Sequence, residues 1–135
     1  MNRIINPEQL EKPVGYAHAI EASRTGRTVY LAGHVSFDHL GNVVCRGDIV
    51  GQFNQTLANL RTCLDAAGGR MTDIVKMNIF TVDKAAYKAN LRTIGNIYRE
   101  YFGTHFPAMT FVEVKSLYDD GIMLEIEGIA VIEDK

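Results

Sequence analysis

Apolar residues recur along the chain with a helical period in two regions. The first region follows Asp48, a residue type that caps helix N-termini well. Its apolar positions, spaced by three and four residues, are Ile49, Phe53, Leu57, Leu60, Leu64 and Ala67. This spacing places them on one face of a helix of about five turns. Gly68-Gly69 marks the end of the helix, because glycine is favoured just after a helix C-terminus.

The second region with a helical period begins after Asp83, another good N-cap. Its apolar face carries Tyr87, Leu91, Ile94, Tyr98 and Tyr101. Gly103, with Pro107 following it, predicts the end of this helix. Each predicted helix therefore has a single apolar stripe, which suits a helix that covers one face of a sheet.

Other segments alternate between apolar and polar residues or are rich in β-branched residues, and these patterns predict strands. The predicted strands are residues 19–23, 28–32, 43–44, 73–82, 109–114 and 122–132. A hairpin turn is predicted at Thr25-Gly26-Arg27. Residues 1–15 are predicted to be irregular, because Pro7 and Pro13 limit helix formation there.

The order of these elements predicts the fold class. Two or three strands, a helix, a strand, a helix and two strands follow one another in a single domain, residues 1–135. This order predicts the α+β class, with a β-sheet and two helices packed on one of its faces. Valine and isoleucine lie on both sides of several strands, so the second face of the sheet is apolar too. We expect that face to lie in a subunit interface of a closed oligomer.

Composition and charge narrow the classes of function. Of the 135 residues, 47% are hydrophobic and 22% are charged, which is typical of a globular protein. No apolar run approaches the roughly 20 residues of a membrane span, and the first residues lack a signal-peptide pattern, so a cytoplasmic location is expected. The pI near 6.1 and the scattered basic residues argue against nucleic-acid binding, and so against a ribonuclease.

The residue types that bind metals or act as nucleophiles give no strong pattern. Cys45 and Cys63 are too few for a disulfide framework, and neither is flanked by a base at a useful spacing. His34, Asp38 and His39 lie in a predicted turn without a fourth ligand. The sequence therefore predicts neither a nucleophilic cysteine nor a metal site.

Two carboxylates interrupt the apolar pattern of the last predicted strand. Leu124, Ile126 and Gly128 are predicted to point to one side of this strand, and Glu125 and Glu127 to the other. An unpaired charge is expensive to bury. The two glutamates either form an acidic stripe paired with lysines or include a functional carboxylate.

Several short segments together form a recognisable signature. They are Gly15-Tyr16, Ala32-Gly33-His34, Asp65-Ala66-Ala67-Gly68, Asp73-Ile74-Val75-Lys76, Phe106-Pro107-Ala108, Val112-Glu113-Val114 and Leu124-Glu125-Ile126-Glu127-Gly128-Ile129-Ala130-Val131. In this order they resemble the Rid family, also called the YjgF family. The resemblance extends over nearly the whole chain, from about residue 15 onward.

The resemblance implies a fold, an assembly and an activity. The fold is chorismate-mutase-like, with a mixed sheet and two helices on one face. The assembly is a homotrimer whose sheets form a central barrel, with ligand pockets in the clefts between neighbouring subunits. The best-known members hydrolyse reactive enamines and imines, such as 2-aminoacrylate, to a keto acid and ammonia. Neither a metal nor an organic cofactor takes part in that reaction.

The resemblance also assigns roles to particular residues. Glu125 matches the glutamate that positions or activates water, so it is the predicted catalytic residue, whereas we favour the acidic stripe for Glu127. Met109 stands where deaminating members have an arginine that clamps the substrate carboxylate. Phe111 and Gly95 stand where a small or sulfur-bearing residue and a small amide are usual. The predicted substrate-binding residues are Tyr16, Gly33, His34, Ala108, Met109 and Phe111.

The methionine at position 109 changes the expected activity. Methionine cannot bind a carboxylate, and losing a bidentate contact weakens binding by on the order of several kcal/mol. We expect an imine or enamine hydrolase, without a cofactor, whose small nitrogen-containing substrate differs from 2-aminoacrylate. The alternative is a non-catalytic trimer that binds a small ligand or regulates another protein. Arg27 and Lys76 are candidate replacements for the missing arginine. The alternative interpretation of Met109 is that it is a core methionine at the start of a strand.

Overall fold

Four strands form a mixed sheet, and the helices pack against one of its faces. The computed structural model describes residues 1–134. The elements are β1 (Arg3–Ile5), β2 (Ala19–Glu21), β3 (Arg27–His34), α1 (Ile49–Ala66), β4 (Ile74–Thr81), α2 (Lys84–Ala89), α3 (Leu91–Phe102), β5 (Ala108–Glu113) and β6 (Leu124–Ile132). The strand order is β3-β6-β4-β5, and only β4 and β5 are parallel within this described sheet. The predicted α+β class is confirmed.

The helix-facing side of this sheet forms the hydrophobic core. Residues at alternate positions of β4 and β6 point toward the helices, with Met77 opposite Gly128 and Ile79 opposite Ile126. Met77, Ile79 and Ile126 are almost completely buried. A Cβ at position 128 would lie 2.9 Å from the carbonyl oxygen of Lys76, so the irregular step in β4 requires a glycine opposite it.

Helix α1 follows the predicted boundaries. The Asp48 carboxylate accepts a hydrogen bond from the backbone N–H of Gly51 at 3.0 Å, and Gly68, with φ of 80°, follows the helix. The fully buried apolar side chains of α1 are Phe53, Leu57, Leu60 and Leu64. At roughly 1.5–3 kcal/mol for each buried side chain, this stripe fixes α1 on the sheet. Neither α1 nor another helix within residues 1–134 has the length and hydropathy needed to cross a membrane.

The second predicted helix is divided into α2 and α3 at Asn90. The Asn90 side chain donates a hydrogen bond to the carbonyl oxygen of Ala86 at 2.8 Å, which takes the acceptor that a continuing helix would give to the Asn90 backbone. The Asn90 N–H bonds instead to the carbonyl oxygen of Tyr87. The prediction of two helices is therefore corrected to three α-helices in the described chain.

The first 25 residues depart from the prediction in two ways. Residues 3–5, expected to be irregular, form β1, which pairs with β2 in a separate two-stranded sheet. The expected hairpin between β2 and β3 is wrong, because β2 pairs with β1 while β3 pairs with β6. The predicted strand at residues 43–44 is reduced to one bridge between Phe37 and Val43.

We call the other side of the four-stranded sheet the open face, because no helix of residues 1–134 packs on it. Its residues on β3, β4, β5 and β6 are Tyr30, Lys76, Asn78, Phe80, Thr110, Val112, Glu125, Glu127 and Ile129. Tyr30 is 78% exposed and Val112 39%. The Asn78 amide donates to Glu127 at 3.5 Å, so Glu127 faces an amide and not the expected lysine. The open face combines apolar and charged side chains.

Candidate active site

A cavity of about 600 Å³ opens on the helix-facing side of the sheet. It lies between β5, helices α2 and α3, and the segment 14–16. Its apolar and aromatic lining includes Phe53, Ile79, Tyr87, Tyr98, Phe106 and Phe111. Aromatic and apolar linings with few polar groups are typical of small-molecule sites. We therefore treat this cavity as the candidate substrate site.

Strand β5 contributes Met109 and Phe111 to the floor of the cavity. The two residues are two positions apart, so both point to the same side of the strand. The Phe111 ring lies 4.5 Å from the ring of Tyr87, between centroids. Met109 and Phe111 are half-buried and also pack against the hydrophobic core. Met109 thus lines the cavity and contacts the core at once.

The N-terminal segment brings Tyr16 to the cavity. The backbone N–H of Ala17 donates to the carbonyl oxygen of Pro107 at 3.0 Å, which fixes the segment along the edge strand β5. The Tyr16 hydroxyl donates to the Glu11 carboxylate at 2.7 Å, and this bond raises the pKa of Tyr16. Ala108 contributes backbone pairing here, but its side chain does not line the cavity.

Two further tyrosines keep neutral hydroxyls in the cavity wall. Burial raises the pKa of Tyr87 to about 12, and burial also raises the pKa of Tyr98. The Tyr98 hydroxyl donates to the carbonyl oxygen of His105 at 2.8 Å, and its ring stacks on Phe102 and Phe106. The part of the wall that these two tyrosines form is therefore aromatic and uncharged at neutral pH.

Glu125 and Gly33 are neighbours on the other side of the sheet. Glu125 is half-buried, lies opposite Phe80 in the register of β6 and β4, and points to the open face. A Cβ at position 33 would overlap the Glu125 carboxylate, so glycine there leaves room for the position that this side chain occupies, and a larger residue would displace it. Within residues 1–134 this carboxylate forms no ion pair. Neither Gly33 nor Glu125 lines the cavity.

His34 contacts Cys63 of α1 and does not line the cavity. A carbonyl oxygen only accepts, so the 2.7 Å contact from His34 Nδ1 to the oxygen of Ala32 places the ring proton on Nδ1. The Cys63 Sγ lies 3.3 Å from the acceptor Nε2. The sequence places no base beside Cys63, but folding brings His34 to it, because folding joins residues that the sequence separates. Both ring nitrogens of His34 are used within the chain.

Sequence reasoning missed three cations that line the cavity. They are Lys84 and Lys88 of α2 and Arg99 of α3. Lys88 and Arg99 lie seven residues before and four residues after Gly95, and this helical spacing is the signal that would have grouped them with that position. The two replacements considered for the missing arginine lie elsewhere: Arg27 pairs with Asp134 at 3.0 Å, and Lys76 bonds to Thr110 on the open face.

Comparisons of the sequence and of the structure with known proteins agree on one family of relatives. A model of the family described as Endoribonuclease L-PSP matches residues 8–132. A RutC family protein of Pyrococcus horikoshii is 34% identical over 98% of this chain and 100% of its own length. A protein of Dermatophagoides farinae named 2-iminobutanoate/2-iminopropanoate deaminase is 33% identical, over 97% of each chain. The solved structure of the Rid family protein YyfB of Yersinia pestis has a TM-score of 0.87, with 34% identity over 97% of this chain and 98% of its own.

Proposed function

The chain belongs to the endoribonuclease L-PSP family, the Rid family, and from this premise we propose that it hydrolyses a small imine or enamine to a carbonyl compound and ammonia. The observation that carries the proposal is the cavity that collects Tyr16, Met109 and Phe111 from separate parts of the chain. Relatives named as iminobutanoate/iminopropanoate deaminases support the reaction class.

The proposed reaction needs one group that takes a proton from water and returns it. Glu125 fills this role in the proposal, because a carboxylate without an ion-pair partner is free to accept a proton. Water oxygen bonds to the imine carbon while Glu125 takes a water proton. That proton passes to the substrate nitrogen and gives a carbinolamine. Glu125 then takes the hydroxyl proton and returns it to the nitrogen, so that the carbon–nitrogen bond breaks and ammonia leaves as the carbonyl forms. An enamine first gains a proton on carbon to become the imine.

A second subunit completes the site in this proposal. Glu125 and the cavity lie on opposite faces of one sheet, so they do not meet within one chain. In the homotrimer that we propose, the part of the open face where Glu125 lies beside Gly33 faces the cavity of the next subunit. The apolar side chains of the open face, such as Tyr30 and Val112, support its burial between subunits.

The proposed substrate is larger and more apolar than 2-aminoacrylate. Met109 offers no charge to a carboxylate at the floor of the cavity, and Phe111 adds an aromatic surface beside it. The cavity, at about 600 Å³, falls within the range of sites for drug-sized ligands. An imine with an aromatic or long apolar side chain matches this surface.

The experiment that tests the proposed function compares the natural protein with Met109→Arg. The measurement is ammonia release from 2-aminoacrylate and from 2-imino-3-phenylpropanoate, each generated in situ. We expect the natural protein to prefer the aromatic imine, and Met109→Arg to gain activity on 2-aminoacrylate by about tenfold or more. Absence of turnover with both imines in the natural protein would contradict the proposed hydrolase and favour the ligand-binding alternative.

A further inference from the structure

The lining of the cavity has one sign of charge. Lys84, Lys88 and Arg99 line it, and no aspartate or glutamate of residues 1–134 does so. None of these three cations forms an ion pair with a carboxylate of the described chain. All three cations are exposed, but they border an apolar wall, and a charge beside a wall of low dielectric attracts an anion more strongly than a charge surrounded by water on every side. The cavity therefore combines an apolar floor with a positive side.

Arg99 is the best placed of the three cations. Its Nη1 lies 3.6 Å from the position that a Cβ of residue 95 would occupy, so the guanidinium covers the space that Gly95 leaves in the wall. Its Nη2 donates to the Asn96 side chain at 2.5 Å. A guanidinium has five N–H donors, so most of them remain available for a ligand.

A solvated helix terminus is the simpler explanation for Arg99, since basic residues are common in the last helical turn. That explanation accounts for the charge but not for its position at the cavity. Arg92, an exposed arginine on the same helix, does not line the cavity. Arg99 and Arg92 can therefore be compared as an arginine that lines the cavity and an arginine of the same helix that does not.

We propose that Arg99, assisted by Lys88, binds the anionic group of the substrate in place of the arginine that position 109 lacks. The anion is then held from helix α3, on the side of the cavity away from the β5 floor, while the apolar part of the substrate lies against Met109 and Phe111. This inference rests on the proposed function and defines its substrate class. That class is a carboxylate-bearing imine whose side chain is aromatic or comparably large and apolar.

Binding of two matched probes tests this inference without requiring turnover. The probes are 3-phenylpropanoate and its neutral amide, 3-phenylpropanamide, titrated calorimetrically into the natural protein, Arg99→Gln and Arg92→Gln. We expect the natural protein to bind the carboxylate at least about tenfold more tightly than the amide, and Arg99→Gln to lose that preference. Arg92→Gln should behave as the natural protein, and both variants should keep its thermal unfolding midpoint.

Two results would overturn the assignment of Arg99. One is equal affinity of the natural protein for the acid and the amide, and the other is an equal effect of Arg99→Gln and Arg92→Gln. Turnover of 2-imino-3-phenylpropanoate separates this inference from the proposed function. Turnover that is insensitive to Arg99→Gln refutes the assignment and leaves the hydrolase standing. Selective carboxylate binding without turnover refutes the hydrolase and leaves the anion site standing.

Discussion

The two faces of the four-stranded sheet differ in what covers them and in what chemistry they carry. The helix-facing side is lined by buried residues such as Ile126, and it also holds the cavity with Met109 and Arg99. The open face alternates exposed apolar side chains, such as Tyr30, with charged ones, such as Glu125. Helices of the same chain cover one face of the sheet, whereas no helix of residues 1–134 covers the open face.

This difference explains how the proposed site is divided. The apolar surface and the cations that would hold a substrate lie on the helix-facing side. The carboxylate that would act on water lies on the open face, where Gly33 leaves space for it. In the proposed homotrimer, a chain with this division gains a complete site when the open face of one copy meets the cavity of another.

The largest expected effect is a difference in kcat between variants of the two carboxylates of the open face, Glu125 and Glu127. Glu125→Gln removes the proposed proton acceptor, so kcat for the aromatic imine should fall by about 100- to 10,000-fold, while KM stays within about threefold. Glu127→Gln is the matched control, because Glu127 lies on the same strand and face but faces Asn78. Equal loss in both variants would refute the role of Glu125.

Two isoleucines on β6, one on each face of the sheet, allow the contributions of the two faces to stability to be compared. Ile126 is fully buried against the helices, so Ile126→Ala should lower the free energy of unfolding by about 2–5 kcal/mol. Ile129 is half-buried on the open face. Ile129→Ala should instead weaken subunit association, and its thermal midpoint should rise with protein concentration more steeply than that of the natural protein. A midpoint independent of concentration in both proteins would argue against a covered open face.

The pH dependence of stability tests the burial of the cavity wall. The pKa of Tyr87 is raised from 10.0 to about 12 by burial, so the unfolded chain loses this proton first. The stabilisation by neutral Tyr87 is complete below pH 10 and is lost as the pH rises to about 12. Tyr87→Phe should reduce the loss of stability in this range, measured by urea unfolding. Tyr118→Phe is the control, because Tyr118 is 96% exposed, and an equal effect there would contradict the assignment.

Sequence patterns predicted the elements whose period is long and uninterrupted. Helix α1 and strand β6 were located because their buried residues repeat over many positions. The break at Asn90 was missed, because it depends on a side chain competing for the carbonyl of Ala86. Strand β1 was missed, because only three residues form it and Pro7 follows it closely, which is typical of an irregular segment.

The site was predicted less completely than the fold, for a physical reason. The alternation in β6 indicated that Glu125 and Ile126 point to opposite sides, but not which side the helices cover. The contact between His34 and Cys63 joins elements that only folding brings together. Arg99 was missed because a long exposed side chain on a helix has the pattern of a solvated residue, and its helical spacing from Gly95 indicates a shared side of the helix but not the cavity itself.

Complementation between two inactive variants tests the division of the site most directly. Glu125→Gln retains an intact cavity, and Gly95→Phe retains Glu125 but fills the cavity, since Gly95 lines it. The two variants are co-expressed with different tags, and oligomers that carry both tags are purified and assayed for hydrolysis of the aromatic imine. If each site joins two subunits of a closed trimer, about one of the three sites in every trimer that carries both tags regains both intact halves, and activity returns to about a third of that of the natural protein. Mixed oligomers no more active than either variant alone would contradict a site shared between subunits.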